Sequence, residues 1–129
     1  QGDPLSPMLF NIVADMLVVL INRAKVDGQI CGVVPHLVDD GISILQYADD
    51  TILFMDHDLE KARNMKLLLC AFEQLSGLKI NFHKSELFCF GDARAMEDQY
   101  TDLFGCSSGE FPLCYLGIPI QIEVFCSCA

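Results

Sequence analysis

Two adjacent acidic residues, Asp49 and Asp50, lie in the middle of residues 42–56, which read ISILQYADDTILFMD. Two like charges held this close together repel each other. A divalent cation removes that repulsion, because hard cations take carboxylate oxygens as ligands. The acid pair therefore predicts a metal site, and the chemistry that such a site favours is metal-dependent phosphoryl transfer.

Two short apolar runs flank the acid pair, at residues 42–45 and 52–55. Runs this short and rich in β-branched and aromatic side chains are typical of buried strands rather than helices. A strand, an acid pair and a second strand predict a hairpin that carries both carboxylates at its tight turn. The alternative interpretation is a solvated turn, where acidic residues are common.

A helix is predicted before the hairpin. Residues 3–7, DPLSP, form a helix-start signal in which either Asp3 or Ser6 is the N-cap. Gly28 suits the left-handed position that follows a helix, so the helix should end near it. Apolar residues behind the start signal recur at helical spacing and predict a broad buried face. These residues are Met8, Leu9, Ile12, Val13, Met16, Leu17, Leu20 and Ile21.

A second helix is predicted after the hairpin, with Asp58 as its N-cap, an end at about Ser76 and Gly77 as its terminator. Its predicted buried face comprises Ala62, Met65, Leu69 and Phe72. Its predicted solvated face comprises Glu60, Lys61, Arg63, Asn64 and Lys66. A shorter helix is predicted over residues 92–105.

Strand patterns occupy much of the remaining chain. Residues 29–34 predict a short strand, and residues 78–82 alternate apolar and polar side chains, as a strand with one buried face does. Residues 86–90 are candidates to pair with the latter. Residues 111–120 predict a further strand, with prolines marking its limits. The order of elements predicts an α+β fold, in which helices back one face of an antiparallel sheet.

The composition limits the function classes. A length of 129 residues suits one domain, and a hydrophobic content of 52% excludes disorder. No run reaches the roughly 18 apolar residues that a membrane span requires, and no signal-peptide pattern is present. The net charge of −10 disfavours nucleic-acid binding, unless other parts of a longer protein carry the phosphate contacts.

The seven cysteines cannot all pair within the chain, and no CxxC pair indicates a zinc site. Cys126 and Cys128 form a close pair, but the second half of a zinc site is missing. We therefore expect reduced thiols in an intracellular protein, either nuclear or cytoplasmic.

Four longer motifs occur in order: QGDPLSPMLFNI at residues 1–12, YADD at 47–50, GLKINFHKSE at 77–86 and YLGIPI at 115–120. YADD alone recurs by chance, but four motifs in order are specific. Together they resemble the palm domain of reverse transcriptases, particularly those of plant LINE-type (non-LTR) retrotransposons. On this resemblance, residues 1–120 are a partial reverse transcriptase palm domain and residues 121–129 are a divergent C-terminal tail.

The resemblance implies a polymerase palm, a ferredoxin-like antiparallel sheet of four strands backed by helices, and RNA-directed DNA polymerase activity. It implies two Mg²⁺ ions, with the catalytic residues Asp49 and Asp50 as their ligands. These ions activate the primer 3′-OH and stabilise the leaving pyrophosphate. The acid pair fits that role, because in two-metal transfer two ions about 3.5–4 Å apart clamp the attacking and leaving oxygens.

The resemblance also implies roles for residues outside the acid pair. Gln1, Gly2 and Pro4 match a turn before a helix that contacts the incoming nucleotide and the template, although the residues alone indicate only a helix-entry turn. Tyr47 matches a residue beside the primer terminus, where it is otherwise a strand aromatic. Lys84 matches a catalytic lysine near the nucleotide phosphates, whereas a lone lysine is ordinarily a surface charge.

Tyr115, Leu116 and Gly117 match the segment that grips the primer, and the alternative interpretation is an apolar strand with a glycine bulge. The implied partners are a nucleic-acid template–primer and a dNTP. In the resembled family a third metal-binding carboxylate lies on a strand upstream of the position of Gln1, outside these 129 residues. We therefore expect a fragment that needs the first palm strand and the fingers, and that is inactive in isolation.

Other readings remain. A non-catalytic remnant of a retroelement would carry the same motifs, and the coding sequence upstream of Gln1 distinguishes the two. An open frame that supplies an apolar strand ending in an acid favours the enzyme, and a stop codon favours the remnant. Viral RNA-dependent RNA polymerases are a lesser alternative, because they typically carry GDD instead of YADD. A calcium loop starting at Asp56 is disfavoured, because Lys61 stands where its sixth-position glycine should be.

Overall fold

Helices and short strands alternate along the chain, and the computed structural model describes residues 5–33, 35, 41–47, 50–110, 113–115 and 118–120. The α-helices of this part are α1 (Leu5–Val26), α2 (Leu59–Ser76) and α3 (Glu97–Phe104). The strands are β1 (Ile44–Tyr47), β2 (Asp50–Leu53), β3 (Glu86–Leu87), β4 (Ser107–Ser108), β5 (Leu113–Tyr115) and β6 (Ile118–Ile120). Two 3-10 helices, Phe82–Lys84 and Gly91–Met96, precede β3 and α3 respectively.

Helix α1 ends where the sequence predicts. Gly28 follows it at φ 75°, in the left-handed region that glycine adopts without strain. Its N–H donates to the carbonyl of Lys25 at 3.1 Å, and the N–H of Gln29 donates to the carbonyl of Ala24 at 2.9 Å. These two bonds form a Schellman motif, which satisfies carbonyls that the last helical turn leaves open.

The predicted buried face of α1 is correct only for the C-terminal half of the helix. Leu17 and Ile21 are buried in the core. In contrast, Met8, Leu9 and Ile12 are exposed and are not part of the core cluster. The apolar periodicity correctly predicts which side of α1 faces the core. Among the described residues, however, the other elements pack against that side only along the C-terminal turns of the helix.

Both predicted ends of α2 are confirmed. The carboxylate of Asp58 accepts the backbone N–H groups of Glu60 at 2.9 Å and Lys61 at 3.3 Å. An acidic N-cap of this kind contributes about 0.5–2 kcal/mol to stability. At the other end, Gly77 has φ 78° and donates its N–H to the carbonyl of Glu73.

The core forms around the predicted buried face of α2, which is confirmed at all four positions: Ala62, Met65, Leu69 and Phe72. Ile21 of α1 and Phe104 of α3 belong to the same buried cluster. Ile44 of β1 and Leu53 of β2 pack against it. The buried face of α2 therefore belongs to the same core that α1 and α3 help to form and that the hairpin packs against.

The predicted solvated face of α2 is only partly correct. Glu60 and Arg63 are exposed, but Lys61, Asn64 and Lys66 are half-buried. Each of these three side chains donates a hydrogen bond to a backbone carbonyl of another segment. The acceptors are the carbonyls of Gly28 at 3.1 Å, Gln29 at 2.8 Å and Phe104 at 3.3 Å.

The predicted hairpin is confirmed. Strands β1 and β2 are antiparallel, and their register runs from Ile44 opposite Leu53 to Tyr47 opposite Asp50. Residues 48 and 49, between the strands, lie outside the described residues. Asp50 is the first residue of β2, so it closes the turn rather than lying within it.

The predicted strand over residues 29–34 is wrong, because among its described residues only Val33 pairs, in an isolated bridge to Ile42. The chain just before this bridge is bonded to α2 instead of to a strand. The bridge brings two glycines together. A Cβ atom on Gly41 would lie 2.7 Å from the backbone carbon of Gly32, and Gly41 also has φ 73°. Only glycine fits at position 41 without a shift of the backbone.

The predicted strand over residues 78–82 is also wrong. The N–H of Ile80 donates to the Glu73 carboxylate at 2.8 Å, and the side-chain oxygen of Asn81 accepts the N–H of Lys84 at 3.2 Å. Side-chain acceptors of this kind compete with a strand ladder for backbone donors. They produce the 3-10 helix Phe82–Lys84 in place of the strand.

The predicted pairing of residues 86–90 with residues 78–82 is wrong for the same reason. Strand β3 instead pairs in parallel with β4, with Leu87 opposite Ser108. The N–H of Gly109 extends this contact by donating to the carbonyl of Leu87 at 2.8 Å.

The helix predicted over residues 92–105 is confirmed, as a 3-10 helix that continues into α3 and ends at Gly105 with φ 69°. The single strand predicted over residues 111–120 is two antiparallel strands, β5 and β6. Pro119 does not limit a strand but lies within β6, opposite Cys114.

The α+β class is confirmed, and the described strands pair as three separate two-stranded sheets. A four-stranded palm sheet stays a prediction. Among the described helices, none is long and apolar enough to cross a membrane.

Met65 offers a test of the core, because its side chain has 0% exposure and lies on the shared face of α2. We expect Met65→Ala to lower the free energy of unfolding by about 2–5 kcal/mol, since it removes buried apolar atoms and leaves a cavity. Urea-induced unfolding followed by circular dichroism measures this change. Leu67→Ala, at a neighbouring position with 68% exposure, is the control and should change it by less than about 0.5 kcal/mol. Equal losses in the two variants would contradict the described core.

Candidate functional site

Asp50, the second acid of the pair, begins β2 at the turn end of the β1–β2 hairpin. The last register pair is Tyr47 opposite Asp50, and only two residues connect the strands. Two-residue connections are the tightest that join antiparallel strands. Asp49 lies outside the described residues, and Asp50 is the first position of β2.

The other end of the hairpin is fixed against the core. Ile44 and Leu53 form a register pair, and both pack against the buried cluster. The next pair, Leu45 and Ile52, falls on the opposite face, because strand positions alternate with a period of two.

Among the predicted site residues, Lys84 lies in a segment, residues 50–110, that the structure describes without a gap. It is exposed and ends the 3-10 helix Phe82–Lys84. Its own N–H is held by Asn81, and the N–H of Ser85 donates to the carbonyl of Phe82 at 3.2 Å. The turn is therefore closed by local hydrogen bonds around Lys84.

Two residues of α2 hold this turn, and sequence reasoning assigned neither to the site. Glu73 accepts the N–H of Ile80 at 2.8 Å. The Lys66 ammonium lies 3.7 Å from the centre of the Phe82 ring. A cation–π contact contributes about 0.5–1 kcal/mol at exposed sites and about 2 kcal/mol when desolvated. The sequence contains one weak signal for this pair: Lys66 and Glu73 are seven positions apart and therefore lie on one side of the helix. That spacing alone does not indicate what the two side chains contact.

The remaining predicted site residues are not brought together by the described structure. Gln1, Gly2, Pro4, Asp49, Leu116 and Gly117 lie outside the described residues. Tyr47, Asp50 and Tyr115 are placed as strand positions only. Within the described part, no group of three or more His, Cys, Asp or Glu side chains could hold a metal ion. The Mg²⁺ site accordingly stays a prediction.

A second polar cluster joins the end of the hairpin to α3. The Nδ1 atom of His57 and the hydroxyl of Tyr100 are 2.9 Å apart, within hydrogen-bonding distance, and the two rings meet edge-on. Burial raises the pKa of Tyr100, and the neighbouring Cys89 and Asp58 add to that rise. The cluster therefore keeps a protonated phenol against the core.

Two free thiols lie near this cluster. Burial raises the pKa of Cys89, assisted by Glu97 and Cys106, and burial likewise raises the pKa of Cys106, against smaller opposing effects from a backbone hydrogen bond and Lys66. A raised thiol pKa stabilises the fold below the ordinary value of 9.0, and this stabilisation is lost as the pH rises through the raised pKa. The thiolate is the nucleophilic form, so neither group is an activated nucleophile.

Comparison with known proteins identifies the family. Residues 1–120 match the family described as reverse transcriptase (RNA-dependent DNA polymerase). The chain belongs to this reverse transcriptase family. The reverse transcriptase family predicted from the four motifs is thereby confirmed, and the plant LINE-type origin stays a prediction.

Two similar proteins of Popillia japonica are both described as a retrovirus-related Pol polyprotein from type-1 retrotransposable element R2. One is 36% identical over 84 residues, which are 65% of this chain and 13% of that protein. The other is 34% identical over 85 residues, which are 66% of this chain and 11% of that protein. The chain thus spans only a small part of the length of these two Pol polyproteins.

The half-buried thiols of Cys89 and Cys106 provide a test of the described environment. We expect iodoacetamide to label Cys89 and Cys106 more slowly than the exposed Cys70 at pH 8, because a raised pKa leaves less thiolate and burial restricts access. After a reducing pretreatment, peptide mass mapping over a time course measures the three labelling rates. In 8 M urea the rates should converge. Labelling of Cys89 as fast as Cys70 in the folded chain would contradict the described packing.

Proposed function

We propose that this chain is part of the palm of a non-LTR retrotransposon reverse transcriptase, which copies RNA into DNA by two-metal nucleotidyl transfer in a longer protein. The observation that carries the proposal is the YADD motif on a tight antiparallel hairpin, in a chain of the reverse transcriptase family. The two Pol polyprotein relatives support a retrotransposon origin. The motif set favours a plant LINE-type element within that class.

The donor set of the hairpin fits divalent cations. Asp49 and Asp50 are adjacent in the sequence, Asp50 begins β2 at the turn end of the hairpin, and Mg²⁺ prefers hard oxygen ligands such as carboxylates. These two residues would hold the ions, which supply activation of the primer 3′-OH and charge stabilisation of the leaving pyrophosphate. A third carboxylate, from a strand outside these residues, would complete the ligand set.

The other site residues bind and orient the substrates in this proposal. Lys84 places a positive charge at the nucleotide phosphates and donates a proton to pyrophosphate. Tyr47 lies beside the primer terminus. Gln1, Gly2 and Pro4 form the turn against the incoming nucleotide and the template.

The primer is held by Tyr115, Leu116 and Gly117, where β5 leads into β6. The net charge of −10 leaves this chain poorly suited to hold a nucleic-acid duplex by itself. The phosphate contacts of the template–primer therefore come from other parts of the longer protein, principally the fingers.

We expect the isolated chain of 129 residues to show no polymerase activity, because its acid pair supplies two of three metal-binding carboxylates. A primer-extension assay on an RNA template, with Mg²⁺ and all four dNTPs, measures this. An active viral reverse transcriptase is the positive control. Incorporation by the isolated chain that disappears in Asp50→Asn would overturn this expectation.

A longer product that adds the upstream strand and the fingers tests the proposed function itself. We expect Mg²⁺-dependent primer extension, and a loss of about 10²–10⁴-fold in Asp49→Asn or Asp50→Asn, since the charge stabilisation by a bound metal is worth several kcal/mol. Asp56→Asn is a matched control, because Asp56 follows the other end of the same hairpin. A longer, folded product without incorporation would support the alternative of a non-catalytic retroelement remnant.

A further inference from the structure

The 3-10 helix that carries Lys84 is attached to α2 by two side chains. Glu73 binds the N–H of Ile80 at 2.8 Å, and the Lys66 ammonium lies over the Phe82 ring at 3.7 Å. Lys66 and Glu73 are separated by about two helical turns, so they lie on one side of α2. Together they fix the chain just before Lys84 at two points.

Lys66 also makes a second contact. Its ammonium donates to the carbonyl of Phe104 at 3.3 Å, at the C-terminal end of α3. The carbonyls of a last helical turn carry partial negative charge and favour a cation. A single ammonium thus connects α2, α3 and the Phe82 ring.

The turn itself is closed, so a displacement of Phe82 carries Lys84 with it. Asn81 holds the N–H of Lys84, and the Ser85 hydroxyl donates to the carbonyl of Asn81 at 2.8 Å. The N–H of Ser85 donates to the backbone carbonyl of Phe82. Lys84 has little independent freedom of its backbone within this set of bonds.

We propose that Lys66, with Glu73, is a positioning residue that holds the Lys84 turn in place on α2. The inference rests on the proposed function, in which Lys84 acts at the nucleotide phosphates. Lys66 touches no substrate in this proposal. It acts through Phe82, and its loss should misplace Lys84 while leaving the hairpin of the acid pair unchanged.

The chain offers a matched control at Lys61. This residue also belongs to α2, is half-buried and donates to a backbone carbonyl, that of Gly28 at 3.1 Å. Lys61→Met and Lys66→Met therefore remove the same charge and one lysine-to-carbonyl bond from the same helix. Only Lys66 touches the Lys84 turn.

Hydrogen exchange by NMR on the full chain tests the attachment. We expect Lys66→Met to speed exchange of the Ser85 and Lys84 amides about 5–30-fold relative to Lys61→Met, after correction for global stability, because a partly desolvated cation–π contact is lost. Lys66→Arg should restore the exchange rates to within about twofold of the wild-type rates. A guanidinium can also contact the Phe82 ring and donate to the Phe104 carbonyl. Equal exchange of these amides in Lys66→Met and Lys61→Met would overturn the proposal.

A double-mutant cycle on binding of Mg²⁺–dTTP to the longer product, which adds the upstream strand and the fingers, tests the functional consequence, with Kd read from a titration. Lys84→Met should weaken binding by the same factor in the wild-type and Lys61→Met backgrounds, and by a smaller factor in the Lys66→Met background. One common factor in all three backgrounds would overturn the positioning role. No effect of Lys84→Met in the wild type would overturn the proposed nucleotide role of Lys84 instead, and the exchange experiment then decides the attachment alone.

Discussion

The burial of one face of helix α2 is the interaction on which the rest of the described structure depends. Met65 on that face is completely buried, and α1, α3 and the hairpin contribute to the same cluster or pack against it. The flanks of α2 add polar contacts to the backbone of neighbouring segments. One helix therefore fixes the base of the acid-bearing hairpin and the turn of Lys84, which are far apart in the sequence.

The sequence predicts the helices well because their signals are local. Asp58 and Gly77 bound α2 through bonds to residues within one helical turn, and such caps can be recognised from residue type and position. Two predicted strands fail because side chains from elsewhere take their backbone groups. Glu73 binds Ile80, and Asn64 binds Gln29, so neither segment is free to form a ladder there.

The same distinction applies to the candidate site. The acid pair and the hairpin can be predicted because two like charges between apolar runs are visible in the sequence, and the hairpin is confirmed. The role of Lys66 could not be predicted, because on a helical wheel it belongs to the solvated face. Its partners Phe82 and Phe104 are 16 and 38 positions away, and no local pattern indicates that they meet. The exposure of Met8 and Leu9 shows a related limit of prediction from sequence. Apolar periodicity defines the face of α1 that can be buried, but not how many turns of that face the neighbouring elements cover.

The close approach of Gly32 and Gly41 at the base of the hairpin constrains the start of the chain segment that leads through β1 toward the acid pair. From the bridge residue Ile42 to Tyr47, the last residue of β1, an extended chain advances about 3.3 Å per residue, or about 16 Å in total. A side chain at position 41 would push the bridge apart, and a tilt of about 5° at the base would move the tip by about 1.4 Å over that length. Catalytic groups require placement to within about 0.5 Å. Under the proposed function, these two glycines, which carry no functional group, would therefore limit how accurately the metal-binding carboxylates can be placed.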